Sequence, residues 1–239
     1  MKILNVKVDN ISKDEIIQKV GQFLEEKKFH QIVTVNPEFI LQAQKDETFK
    51  NILNTADLSV IDGIGINFAC LRQFKHLKAR LAGIDLVLNI LEYADKNNLS
   101  VFLASYNGAL SSWNETRVTI LEKYPSLKIG GELMDIECPF GCPLPEAVLN
   151  YDIVFCNFGS PSQEKFINSL KSIKNSKIKL AMGVGGSFDF LTGKRKRAPK
   201  FLQKNGLEWL WRFCGEPRRR FKRIWNAVII FPIRVLINK

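Results

Sequence analysis

The sequence predicts an α/β protein: a mostly parallel sheet with helices on both faces, followed by a basic helical C-terminal appendage. Three observations predict it. Short runs rich in Val, Ile and Phe alternate with segments whose apolar residues recur at spacings of three and four. The runs are mostly apolar throughout, as strands covered on both faces should be. The excess positive charge is confined to the last fifth of the chain. Residues 194–239 hold 14 Lys or Arg against two acids, a net +12, whereas residues 1–193 sum to −1.

The expected strands are Gln31–Val35, Leu58–Ile61, Ser100–Ala104, Leu127–Ile129, Asp152–Phe158 and Lys177–Met182. Helices are expected over Pro37–Asn51, which opens with Pro in its first turn, over Ile84–Lys96, and over Ala109–Lys123, which stops before Tyr124-Pro125. Strand, helix and strand in repetition give a parallel sheet with crossovers. No internal repeat interrupts this order, and Pro139–Pro145 is the one loop-rich stretch. The chain of 239 residues suits a domain of residues 1–193 with an appendage over 194–239.

The five cysteines are odd in number, and Cys156 lies within a strand pattern where a buried thiol is expected. Cys138 and Cys142 have no second pair and no nearby His, which argues against zinc and for a reduced, cytoplasmic chain. The N-terminus lacks the apolar core of a signal peptide, and no stretch reaches the roughly 18 apolar residues of a membrane span.

In open parallel sheets ligands sit beyond the C-terminal strand ends, and here those ends are polar and glycine-rich. They carry Thr34-Val-Asn36-Pro-Glu38, then Asp62-Gly63, then Ser105-Tyr-Asn107-Gly108. Gly159-Ser-Pro-Ser-Gln163-Glu164 and Gly183-Val-Gly185-Gly186-Ser-Phe-Asp189 follow. Glycine turns at helix N-termini offer backbone amides to a phosphate or diphosphate, and equally serve as plain tight turns. Asp62 fits a carboxylate exposed in the cleft and also a helix N-cap; Thr34 and Asn36 fit caps as well. Glu38 and Glu164 each complement a helix dipole, which leaves Gln163 to face a ligand. Arg80 fits a phosphate ligand or a solvated side chain. The two histidines, His30 and His76, lie outside these loops, and Asp135-Ile-Glu137 is the nearest approach to an Asp-x-Asp metal clamp.

Together these loops resemble the WecG/TagA/CpsF family of bacterial glycosyltransferases. The resemblance runs from about Asn5 to about Arg223 through nine blocks in family order. These are Thr34–Glu38, Ala56–Gly65, Arg80–Asp85, Tyr124-Pro125, Gly159–Glu164, Met182–Asp189, Arg197–Pro199, Gly206–Arg212 and Glu216–Arg219. Two positions depart from the common pattern: Ala79 where the family often has Glu, and Ser162 where it commonly has Lys. The resemblance implies a Rossmann-like, metal-independent, inverting transferase without a cofactor. It would move N-acetylmannosamine or a related sugar from a UDP-sugar donor to a polyprenyl-diphosphate-linked GlcNAc, in wall teichoic acid or surface polysaccharide synthesis. It implies Asp62 as base, with Thr34, Asn36 and Gln163 orienting the sugars and Arg80 meeting the leaving diphosphate. Gly63, Asn107 and Gly159 join them in the substrate site. Gly183, Gly185 and Gly186 would hold the nucleotide with Asp189, and Arg212, Arg218 and Arg219 would reach in from the tail.

The tail itself places Phe221, Ile224, Trp225, Val228 and Ile229 on one helical face amid cations. That is the pattern of a helix lying on an anionic membrane surface, here the inner face of the bacterial membrane. The same stripe also suits packing on the protein's own core or in a homo-oligomer. Two other classes compete. A nucleotide-dependent oxidoreductase lacks its Gly-x-Gly-x-x-Gly after the first strand. A nucleic-acid-binding protein explains the charge but neither the polar loops nor the absence of a recognition module, so no nucleic acid is expected.

Overall fold

A short antiparallel ladder pairs β1 (Lys2–Ile3) with β2 (Val6–Lys7) across a turn in which Leu4 and Asn5 both have positive φ. The computed structural model describes residues 1–63, 65–135 and 146–237. Glu137, Cys138, Cys142 and the expected loop Pro139–Pro145 lie outside these residues. Next comes α1 (Lys13–Glu25), started by a reciprocal capping box between Ser12 and Glu15. It leads into β3 (His30–Val35), α2 (Pro37–Ala43), α3 (Glu47–Thr55), β4 (Leu58–Ile61) and α4 (Gly65–Arg72). The middle of the chain forms α5 (Gly83–Lys96), β5 (Ser100–Tyr106), α6 (Trp113–Lys123) and β6 (Lys128–Met134). Then follow β7 (Ile153–Cys156), α7 (Ser162–Leu170), β8 (Leu180–Gly183) and α8 (Ser187–Leu191).

Strands β3 to β8 make one fully parallel sheet in the order β4-β3-β8-β7-β5-β6. Apart from the edge strand β6, which has no buried residue, its side chains alternate between two covered faces. Ile32, Val60, Leu103, Phe155 and Met182 join a core with α1, α5, α6 and α8. Val33, Val35 and Ile61 pack under α2, α3 and α4, and Phe102, Val154, Cys156 and Ala181 under α7. Cys156 is a buried thiol, and burial pushes it well above its ordinary pKa. The α/β class expected from the apolar runs is therefore the fold observed.

Several boundaries differ for local reasons. The expected helix Pro37–Asn51 divides in two, because the Asp46 carboxylate accepts the Phe49 N–H at 2.9 Å and starts α3 afresh. Asp152 stands outside β7. Its carboxylate accepts the Ser100 N–H at 3.0 Å and hydroxyl at 2.7 Å, clamping two strand starts. Helix α6 begins four residues later than Ala109, where Ser112 and Glu115 form a second capping box.

The C-terminal part is helical, as its pattern predicts. It comprises α9 (Lys200–Lys204), α10 (Glu208–Gly215) and α11 (Pro217–Trp225), then a π-helical turn at Asn226–Ile230 and α12 (Phe231–Ile237). Pro232 has no N–H for the carbonyl one turn back, and the wider π turn falls where that bond is missing. Among the described residues no helix is long and apolar enough to cross a membrane. Phe231 is fully buried and Val235 nearly so, both within the core under α2 and α4. The end of the tail thus packs on the protein's own core, while Phe221, Trp225, Val228 and Ile229 stay exposed.

Candidate active site

A cleft of about 1040 Å³ opens beyond the C-terminal ends of β3, β4, β7 and β8, with the tail helices forming its far wall. Thr34, Asn36, Asp62, Gly159, Gln163, Gly183, Gly185, Gly186, Asp189 and Arg212 all line it. Gly63, Arg80, Asn107 and Arg218 do not. The Asn107 amide donates to Asp135 at 3.2 Å, and Arg218 is exposed on α11. Arg219 also lies in α11, but its side chain is outside the described part.

Asp62 follows β4 directly and sits beside the N-terminus of α5, with the Gly83 amide near its carboxylate. Burial in the cleft floor pushes its pKa up, and the nearby Glu208 charge pushes the same way. Arg212, Arg80 and the Gly83 amide act against that shift. Arg80 approaches from behind the wall and donates to the Gln203 carbonyl at 2.5 Å. The carboxylate is therefore held among cations without being locked in a bidentate pair.

An ion network carries the tail to this point. Arg197 donates to both oxygens of Asp85, at 2.5 and 3.2 Å, and lies 3.7 Å from Glu208. Glu208 in turn accepts from Arg212 at 2.8 Å, and the Arg212 guanidinium lies 4.8 Å from the Phe190 ring centroid. The blocks Arg80–Asp85, Arg197–Pro199 and Gly206–Arg212 are thus joined in space, far apart as they are in sequence.

Asn36 caps α2, its Oδ1 accepting from Glu38 N at 2.9 Å and Phe39 N at 3.1 Å. Thr34, two residues earlier and within β3, is buried beside Gly83. Gln163 is only 3 % exposed and acts as a bracket. Its Oε1 accepts from Gly159 N at 3.2 Å and Gly185 N at 3.1 Å, while its Nε2 donates to Glu164 at 2.6 Å. Two glycine amides of the expected cradle are therefore engaged by the protein itself. Asp189 is buried next to Arg195, whose Nε lies 3.5 Å from its Oδ2 and whose Nη2 lies 3.1 Å from Glu216.

Sequence reasoning missed the cleft face of the tail. Arg195, Arg220, Arg223 and Arg234 line the cavity, with Tyr106 on the opposite wall. Glu216, Arg220, Arg223, Asn226, Ile230 and Arg234 recur at three and four, a helical stripe beside the apolar one and readable by the same periodicity. Arg223 closes the stripe onto α2, donating through Nε to both Glu38 oxygens at 2.9 and 2.8 Å. Among the described residues no group of three or more His, Cys, Asp or Glu is placed to hold a metal ion.

Known proteins resemble this chain over most of its length. The chain is 30 % identical over 217 residues to an N-acetylglucosaminyldiphosphoundecaprenol N-acetyl-beta-D-mannosaminyltransferase of Bacillus spizizenii, covering 88 % of this chain and 79 % of the relative. An enzyme of the same name from Bacillus subtilis is 30 % identical over 226 residues, covering 94 % and 82 %. One from Staphylococcus aureus is 30 % identical over 215 residues, covering 88 % and 82 %. The sequence profile described as the glycosyl transferase WecG/TagA/CpsF family matches residues 1–239, and the chain belongs to that family.

Proposed function

We propose that the protein transfers N-acetylmannosamine, or a closely related sugar, from a UDP donor to a polyprenyl-diphosphate-linked GlcNAc with inversion at the sugar. The observation that carries this reading is Asp62, a carboxylate on the floor of a cleft that Arg195, Arg212, Arg220, Arg223 and Arg234 also line. The names of the relatives supply the substrate class. The acceptor hydroxyl gives its proton to Asp62 as its oxygen bonds to the anomeric carbon. The bond from that carbon to the diphosphate breaks on the opposite face, and UDP leaves with the electron pair. Arginines in a partly dry cleft stabilise the charge that grows on the diphosphate, so no divalent ion is required. In this reading Thr34 and Asn36, which line the same cleft as Asp62, orient the sugars, and the Gly183–Asp189 turn holds the nucleotide.

The tail, residues 194–239, has two tasks in this reading. Its inner stripe completes the cleft, and its outer stripe of Phe221, Trp225, Val228 and Ile229, set among cations, rests on the anionic membrane that carries the acceptor. The test is incubation with a panel of UDP-sugars and a short-chain lipid-linked GlcNAc, with and without EDTA, followed by mass spectrometry. The expected product is the acceptor plus one N-acetylhexosamine, formed equally with EDTA. No mass gain with any donor overturns the transferase reading, and a gain abolished by EDTA overturns the metal-free mechanism.

A further inference from the structure

We propose that the turn ending α4, with Phe74 at its tip, is a second lipid-contacting element that docks beside α12 on an anionic bilayer. Phe74 is 95 % exposed, yet it is not on a loose chain end. Its backbone is held at φ 55° by hydrogen bonds from Phe74 N to Leu71 O at 2.9 Å and from Lys75 N to Cys70 O at 3.0 Å. A left-handed backbone disfavours a bulky aromatic residue, so the fold holds this ring outward against a local cost. The turn is braced on both sides. The Gln73 amide donates to the Lys2 carbonyl at 2.7 Å, and Asn10 both donates to His76 O at 2.7 Å and accepts from Lys78 N at 2.8 Å.

The ring does not stand alone. Phe68 and Leu71 are exposed on the same helix, while Ile66, Ala69 and Cys70 bury its other face. That buried face belongs to the core that also receives Phe231 and Val235 of α12, and the two helices pack against each other. Two neighbouring helices seated on one core turn their outer faces the same way. The outer face of α12 carries Ile233, Leu236 and Ile237, the last 75 % exposed. An apolar surface thus spans elements some 160 residues apart in the chain.

Charge selects the occupant. Arg72, Lys75 and Lys78 are exposed bases at and just after the end of α4, and residues 63–84 contain no acid. The tail adds its own cations. Self-association through a two-fold contact would bring like charges together, whereas an anionic headgroup layer complements them. Aromatic residues ringed by Lys and Arg match the boundary between acyl chains and headgroups.

The inference rests on the membrane-surface reading of the tail, and the experiment separates the two. The full chain is sedimented with vesicles of phosphatidylglycerol and phosphatidylcholine, and with phosphatidylcholine alone. The variants are Phe74→Ser, Trp225→Ser and, on the opposite face of the sheet, Val118→Ser on the exposed side of α6. Wild type and Val118→Ser are expected to bind the anionic vesicles, and Phe74→Ser to lose ~10-fold in partitioning, as removal of one inserted aromatic ring should cause. Turnover of a water-soluble acceptor by Phe74→Ser should equal that of wild type, which verifies its fold. If Trp225→Ser loses binding and Phe74→Ser does not, this inference falls and the tail reading stands. If wild type binds neither vesicle, both fall. If Phe74→Ser instead lowers the mass of an oligomer in solution, the surface is a subunit contact and the inference is wrong.

Discussion

Glu164 Oε1 accepts a 2.6 Å hydrogen bond from Gln163 Nε2, and this bond sets which way the Gln163 amide faces. With its nitrogen committed to the carboxylate, Gln163 must turn its oxygen to the amides of Gly159 and Gly185. The loops after β7 and β8 are thereby tied together at the wall of the cleft. A carboxylate that looks from sequence like a partner for a helix dipole is in the structure 1 % exposed and pointed into the protein.

Burial lifts the Glu164 pKa to about 7, with the hydrogen bonds from Gln163 and Ser160 opposing the shift. Because the folded value lies above the unfolded one, the native state binds the proton more tightly. Stability should then fall as pH rises from about 4.5 to about 7 and stay low above that. Glu164→Gln keeps an oxygen for the Gln163 amide and removes the titration. We expect the variant to be more stable than wild type above pH 7 by about 3 kcal/mol, and to match it near pH 4.5. Denaturant midpoints across pH 4.5–8 test this; parallel curves for the two proteins would refute it.

Gly183 is set by the same bracket. A Cβ there would stand 2.4 Å from Gln163 Nε2 and 2.6 Å from its Cδ. Gly183→Ala must expel the amide, lose its three hydrogen bonds and overpack the strand end, costing about 2–4 kcal/mol. Gly186, three residues on, meets nothing closer than 3.8 Å. Gly186→Ala should therefore change unfolding free energy by less than about 1 kcal/mol. Equal losses at both positions would show that turn conformation, not the Gln163 contact, requires glycine.

How far the sequence reveals this protein depends on whether a signal is local. Leu58–Ile61 is read to the residue, because a parallel strand buried on both faces has no competing pattern. The β1–β2 turn is missed because Leu4-Asn5 carries none of the Gly that usually marks two positive φ values. Asp46 is an ordinary acid in a helical pattern until its carboxylate is seen to cap α3. Arg223 and Glu38 are 185 residues apart, and no local rule joins them. The arginine stripe of the tail is legible in principle, since it repeats at three and four beside the apolar stripe. Which stripe meets the cleft is decided by Phe231 and Val235, whose burial fixes the rotation of the rod.

The tail should therefore have two separable anchors. The Arg223–Glu38 pair is partly exposed and contributes within about 1 kcal/mol to global stability. Glu38→Ala is expected to leave the unfolding midpoint nearly unchanged while amide exchange rises across residues 217–230. Phe231→Ala removes a fully buried ring and should cost about 3–5 kcal/mol. Hydrogen exchange read by mass spectrometry distinguishes them. A large global loss in Glu38→Ala would mean that the ion pair, not the aromatic anchor, holds the rod.

Asp62 offers the sharpest test of the chemistry, because its expected effects on rate and on stability have opposite signs. Burial raises its folded pKa, so its ionised form is disfavoured in the native state. Replacing it with Asn removes that cost, and Asp62→Asn should be at least as stable as wild type at neutral pH. The same change removes the base, and kcat should fall by about 100-fold or more with little change in KM for the donor. In wild type, only ionised Asp62 accepts the proton. The acid limb of kcat/KM should therefore lie above the ordinary aspartate value of about 3.9 and disappear in the variant's residual rate. A stable Asp62→Asn protein with undiminished kcat would assign the proton to another group. A variant that lost both stability and activity would make Asp62 a structural cap of α5 instead.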